Sequence, residues 1–140
     1  MDPDGFLPKV LVRRNVSMSH PESQVRASHL ENVALISVAG YFNEEIGDEV
    51  NHVADGFLKK GFSRMILDLS PCQLVNSPGI AALMALTLNL VQEQKGHLIL
   101  VGCSPIMVKA FTLATIIPRA TQADSVQKAF KALKDPPINA

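Results

Sequence analysis

The sequence predicts an α/β domain on a mixed, mostly parallel β-sheet of four to five strands with about four helices. Three observations predict it. Short aliphatic runs alternate with helical stretches, an order that needs crossover connections between parallel strands. The first two strand candidates are only two residues apart, so that pair is antiparallel and the sheet is mixed. The length of 140 residues suits one domain around one core.

Residues 1–22 stand apart as an N-terminal extension, with Pro3, Pro8, Pro21 and the polar stretch "SMSHPES". They read as a mobile tail, with "KVLVRRNV" as an extra edge strand in the alternative. Residues 23–135 form the domain, and 136–140 a C-terminal tail. "QVRASHL" and "VALISVAG" flank Glu31-Asn32 as a hairpin. In "NEEIGDEVNHVADGFLKKG", Ile46, Val50, Val53, Ala54 and Phe57 fall on one helical face. Asn43 is placed to cap that helix. Glu44 and Glu45 open it and Lys59 and Lys60 close it, as its dipole favours. Gly61 suits a left-handed stop.

"SRMILDLS" is nearly continuously apolar, as in a strand covered on both faces. "SPGIAALMALTLNLVQEQKG" is the next helix, with Ser77 as N-cap, Pro78 at its first position and Gly96 as its stop. "HLILVG" is a strand. Ser104-Pro105 repeats the Ser-Pro helix start and opens "IMVKAFTLAT". "IIPRAT" reads as a short edge strand, where Pro118 is tolerated. "DSVQKAFKALK" puts Val126, Ala129, Phe130 and Leu133 on one face. Asp124 is its expected cap, and Asp135-Pro136-Pro137 ends it.

Composition narrows the function. Lys+Arg and Asp+Glu balance at 13 each, so no basic stripe exists for nucleic acid and nothing draws the chain to an anionic membrane. No apolar run reaches the roughly 18–20 residues of a membrane span, so direct membrane insertion is not expected. "MDPDGFLPKV" lacks the layout of a signal peptide, which makes a cytoplasmic protein the expectation. Cys72 and Cys103 form no CxxC pair and read as small buried apolar residues of a reducing compartment.

No phosphate-binding glycine loop follows a strand, and Ser77 lies outside a GxSxG elbow. Nothing marks His20, His29, His52 or His97 as its base, and none has metal-ligand spacing. Glu44-Glu45 is ordinary first-turn dipole compensation. No catalytic residue, cofactor or metal is therefore expected. A small ligand at the strand ends near Ser77, Gly79 and Gly102 stays open as an alternative.

Ser77 supports two readings. It caps a helix, as Ser104 does, and its loss then costs about 0.5–2 kcal/mol. Alternatively it is a phosphorylation switch. A phosphoryl group adds about −1.5 to −2 charges, which the helix dipole favours by about 0.3–1 kcal/mol. The fold would survive, and a docked partner would have to bury a dianion.

The segment "RMILDLSPCQLVNSPGIAALMAL", with "VALISVAGYFNEE" before it and "HLILVGCSPIMVKAF" after it, resembles a STAS domain, the fold of bacterial anti-sigma factor antagonists. The resemblance covers about residues 23–135. It implies that Ser77 is phosphorylated by an anti-sigma factor serine kinase, that the unphosphorylated form binds that kinase and frees the sigma factor, and that a phosphatase resets the cycle. It also implies partner contacts at Asn43, Asn76, Ser77, Pro78 and Gly79. Asn76 and Asn43 stand where the family often has acids, and Pro78 where it often has a small or hydroxyl residue. The alternative within the resemblance is a regulatory subunit of a transporter or stress-signalling assembly, without phosphorylation. The helix after Ser77 has little polar face, so it is either enclosed or met by a partner.

Overall fold

Val33–Phe42 (β3) is a ten-residue strand, and the rest of the molecule is arranged around it. The computed structural model describes residues 9–13 and 22–134. Gln24–Leu30 (β2) pairs antiparallel with β3 through a turn in which Glu31 takes a left-handed φ of 54°. Lys9–Arg13 (β1) adds antiparallel to the outer side of β2. On the other side of β3, Arg64–Asp68 (β4), His97–Val101 (β6) and Thr121–Ala123 (β7) follow in parallel. The spatial order is β1-β2-β3-β4-β6-β7, and Cys72–Val75 (β5) pairs parallel with the far end of β3.

The two central strands are covered on both faces, as their apolar runs predict. Met65, Leu67, Leu98 and Leu100 turn toward the larger core, which holds Ile46, Val50 and Phe57 of Glu44–Lys59 (α1). Leu83 and Leu86 of Ser77–Thr87 (α2) and Met107 and Phe111 of Pro105–Leu113 (α3) pack into the same core. Ile66, Ile99 and Val101 turn the other way, onto Ala129 and Leu133 of Val126–Lys134 (α4). Alternation along each strand thus sends successive side chains into two different cores. Arg64 ties the far end of α4 down by donating to Leu133 O at 2.9 Å.

Several expectations shift. The sheet gains two strands over the expected four to five, β1 and β5. The edge strand lies at Thr121–Ala123, and only the last residue of "IIPRAT" belongs to it, residues 117–119 forming a turn instead. Ile116 and Ala120 are buried there against the larger core, which pulls that segment out of the sheet. The helix after Ser77 does not run unbroken to Gly96. Buried Thr87 donates its hydroxyl to Leu83 O at 2.8 Å, in competition with the backbone ladder, and the chain widens into a π-helical segment at Leu88–Glu93. The left-handed residue that follows is Lys95, φ 57°, and Gly96 serves close packing against Ser63 O. Ser125, not Asp124, caps α4, its Oγ accepting from Lys128 N at 3.1 Å, while Asp124 pairs with Lys128 at 3.4 Å. Gly61 does end α1 with φ 92°.

Candidate functional site

The end of β3 builds the site. At Gly40 the chain turns to φ 83° against Ser23, and the register with β5 shifts between Gly40 and Tyr41. A bulge of this kind re-aims a strand. Here it carries β3 two residues past its expected end, to Phe42. Asn43 follows directly and caps α1, its Oδ1 accepting from Ile46 N at 3.0 Å. From the other side β5 arrives, and Asn76 N donates to Phe42 O at 3.2 Å. The N-termini of α1 and α2 therefore start side by side on one residue.

The cap of α2 corrects the sequence reading. Asn76 is the N-cap, with Oδ1 accepting from Gly79 N at 2.9 Å, and Ser77 is the first helical residue. Pro78 sits second, where its missing N–H costs nothing. Both Asn and Ser are good caps, and the one nearer the strand wins because its carbonyl also receives Ile80 N at 2.9 Å. The Ser77 hydroxyl is thereby released from capping. Asn76→Ala is expected to lose about 0.5–2 kcal/mol in chemical denaturation, and Ser77→Ala less than about 0.5 kcal/mol.

Of the five residues named from sequence, Ser77 and Pro78 are exposed and Asn76 is half-buried. Gly79 and Asn43 are buried. Gly79 lies directly on Phe42, where a Cβ would overlap the carbonyl oxygen. Asn51 of α1 locks the second helix in place, its Nδ2 donating to Ala82 O at 3.0 Å and to Gly47 O at 3.2 Å. The large side chains of α2 face the core. Its exposed stripe is Ser77, Pro78, Ala81 and Ala85, small residues without charge. Sequence reasoning missed β5, which brings Leu74 to the surface next to this stripe. Its signal is faint: one alternating apolar pair after a proline.

Gly102, φ 79°, sits against Ser70, which itself turns back so that its N–H reaches Asp68 Oδ1 at 3.0 Å. Burial pushes the Cys72 thiol up, and burial with a smaller contribution from Cys72 pushes Cys103 up to about 11. Both stay protonated at neutral pH, and neither is an activated nucleophile. Among the described residues no three of His, Cys, Asp and Glu gather as a metal site. No described helix is long and apolar enough to cross a membrane.

No protein-family model matches the chain, and no curated protein matches it by sequence. Solved structures do match it in shape. An anti-sigma factor antagonist from Mycobacterium paratuberculosis is 17% identical with a TM-score of 0.68, covering 81% of this chain and 95% of that one. The anti-sigma factor antagonist SpoIIAA in its unphosphorylated form is 13% identical with a TM-score of 0.67, over 80% of this chain and 99% of that one. A sulfate transporter family protein from Wolinella succinogenes is 19% identical with a TM-score of 0.65, over 75% and 87%. The strand order, the paired helix starts on Phe42 and these likenesses together give the chain the STAS fold, the fold of the anti-sigma factor antagonists.

Proposed function

We propose that this chain is a regulatory protein-binding module, an anti-sigma factor antagonist switched by phosphorylation of Ser77. The observation that carries the reading is the exposed Ser77 hydroxyl at the first position of α2, free of the cap that Asn76 provides. SpoIIAA, of the same fold, has been solved in both unphosphorylated and phosphorylated forms. The partner is a protein, an anti-sigma factor serine kinase of the bacterial cytoplasm, with a phosphatase as the resetting enzyme. The chain itself performs no chemistry in this reading; it is the kinase's substrate and ligand.

The mechanism follows from what surrounds the hydroxyl. Pro78 has no N–H to offer, Gly79 N is held by Asn76 Oδ1, and Ile80 N by Asn76 O. A phosphate on Ser77 finds few backbone donors to fold back onto. The dipole tolerates it, yet its charge stays outward. A partner seated there would have to desolvate a dianion without a paired cation, and it dissociates.

The test compares kinase binding by calorimetry. Ser77→Ala is expected to bind as the wild type does, and Ser77→Asp to weaken at least about tenfold. Both variants should keep stability within about 0.5 kcal/mol, since the cap is intact. Equal binding by wild type and Ser77→Asp would remove the switch.

A second reading is a regulatory subunit of a transporter or a stress-signalling assembly. The likeness to the sulfate transporter family protein and to a chain of the stressosome favours it, as do Asn43 and Asn76 at positions without carboxylates. Co-purification with a transporter subunit that binds Ser77→Asp undiminished would select it.

A further inference from the structure

Beside the Ser77 junction, β5 and the starts of α2 and α3 enclose an open groove of about 100 Å³. Its walls include Val75, Ile80, Met107 and Phe111. Leu74 and Ile106 also line it while remaining 53% and 76% exposed, an unusual outlay of large apolar surface. Of its two polar lining residues, Gln73 and Ser104, the serine Oγ already accepts Met107 N at 3.2 Å. No charged side chain lines the groove.

Charge is sparse around the groove as well. From Leu69 to Gln92 there is no charged residue, and from Gly102 to Pro118 the only one is Lys109. The acids Glu44, Glu45, Asp48, Glu49 and Asp55 are on α1, outside the groove lining.

We propose that the groove receives an aliphatic or aromatic side chain from an uncharged surface of the same protein partner that Ser77 gates. This rests on the reading given under Proposed function and names the chemistry of that partner. Continuity supplies the first argument: Val75 and Ile80 line the groove and flank Asn76–Gly79, so an occupant lies against the switch residue's own turn. Charge supplies the second. A neutral, apolar host surface matches a neutral, apolar guest, and association is then driven by burial of apolar surface and not by steering. Asn76 acquires a purpose in this arrangement. It places no charge beside the groove before phosphorylation, so the dianion is introduced next to an apolar lining that holds no cation to pair with it.

The probe is the serine kinase that the wild-type chain captures and the Ser77→Asp chain does not, purified and titrated onto the full chain. Ile106→Asp is expected to weaken binding at least about tenfold. Ile106 is largely solvent-facing, so the variant should melt with the wild type. Leu113→Asp, equally exposed on α3 but outside the groove lining, should bind within about twofold of wild type, and Ile106→Leu should restore binding. Raising salt from about 0.05 M to about 0.5 M should change the dissociation constant less than about threefold. The inference is overturned if Leu74→Asp and Ile106→Asp bind within twofold while Ser77→Asp still fails, or if salt weakens the wild-type complex tenfold. It is also overturned if sedimentation of the chain alone shows a dimer that Ile106→Asp dissolves, for the groove then belongs to a second copy. A chain for which no protein tells Ser77 from Ser77→Asp loses the underlying reading as well.

Discussion

Gly79→Ala is expected to cost about 3 kcal/mol or more, the upper part of the range for overpacking a filled site. The reason is the identity of the atom it meets. An added methyl at Gly79 would overlap the carbonyl oxygen of Phe42, and the Phe42 ring stands close behind it. A side chain could swing away, but this carbonyl cannot, because it receives Asn76 N at 3.2 Å and sits one residue before the cap of α1. Relief requires α2 to back off its seat, which strips Leu83 and Leu86 from the core. Urea denaturation measures the loss. Kinase binding should fall with it, since Ser77 moves with the helix. A variant as stable as wild type would show that α2 does not rest on Phe42.

Phe42→Ala is expected to cost about 3–5 kcal/mol, the usual toll of deleting a buried phenyl ring. Phe42 is fully buried, and its ring approaches both Gly47 of α1 and Gly79 of α2. The two glycines let two helices close onto one aromatic wedge. Deleting the ring leaves a void between them that the backbone hydrogen bonds oppose closing. Against a total stability of about 5–15 kcal/mol for a domain, the variant is marginal. A melting temperature within a few degrees of wild type would refute the wedge.

The legible parts of the fold were those whose burial is decided locally. The hairpin around Glu31-Asn32, α1 and the doubly covered β4 and β6 each announce themselves by period and by run length. What was misread depended on neighbours. β5 is four residues long and exists only because Gly40 lets β3 bend and continue to Phe42. The Leu74–Ile106 groove depends on β5 and was equally hidden. The cap of α2 is instructive. Ser104-Pro105 was read correctly because Cys103 before it cannot cap, whereas Ser77-Pro78 follows Asn76, which can. Two identical dipeptides thus start helices one position apart. Ser77 itself was legible as a surface residue at a helix start. Its freedom from capping was not.

The placement of α4 bears on how the chain matures as it is made. Residues 126–134 supply the hydrophobic cover for Ile66, Ile99 and Val101, made tens of residues earlier. Until that last helix clears the ribosome, one side of the central strands stays wet and adhesive. A nascent or clipped chain ending before Val126 should therefore need a chaperone or clump, even though Ser77 and everything around it has already been translated.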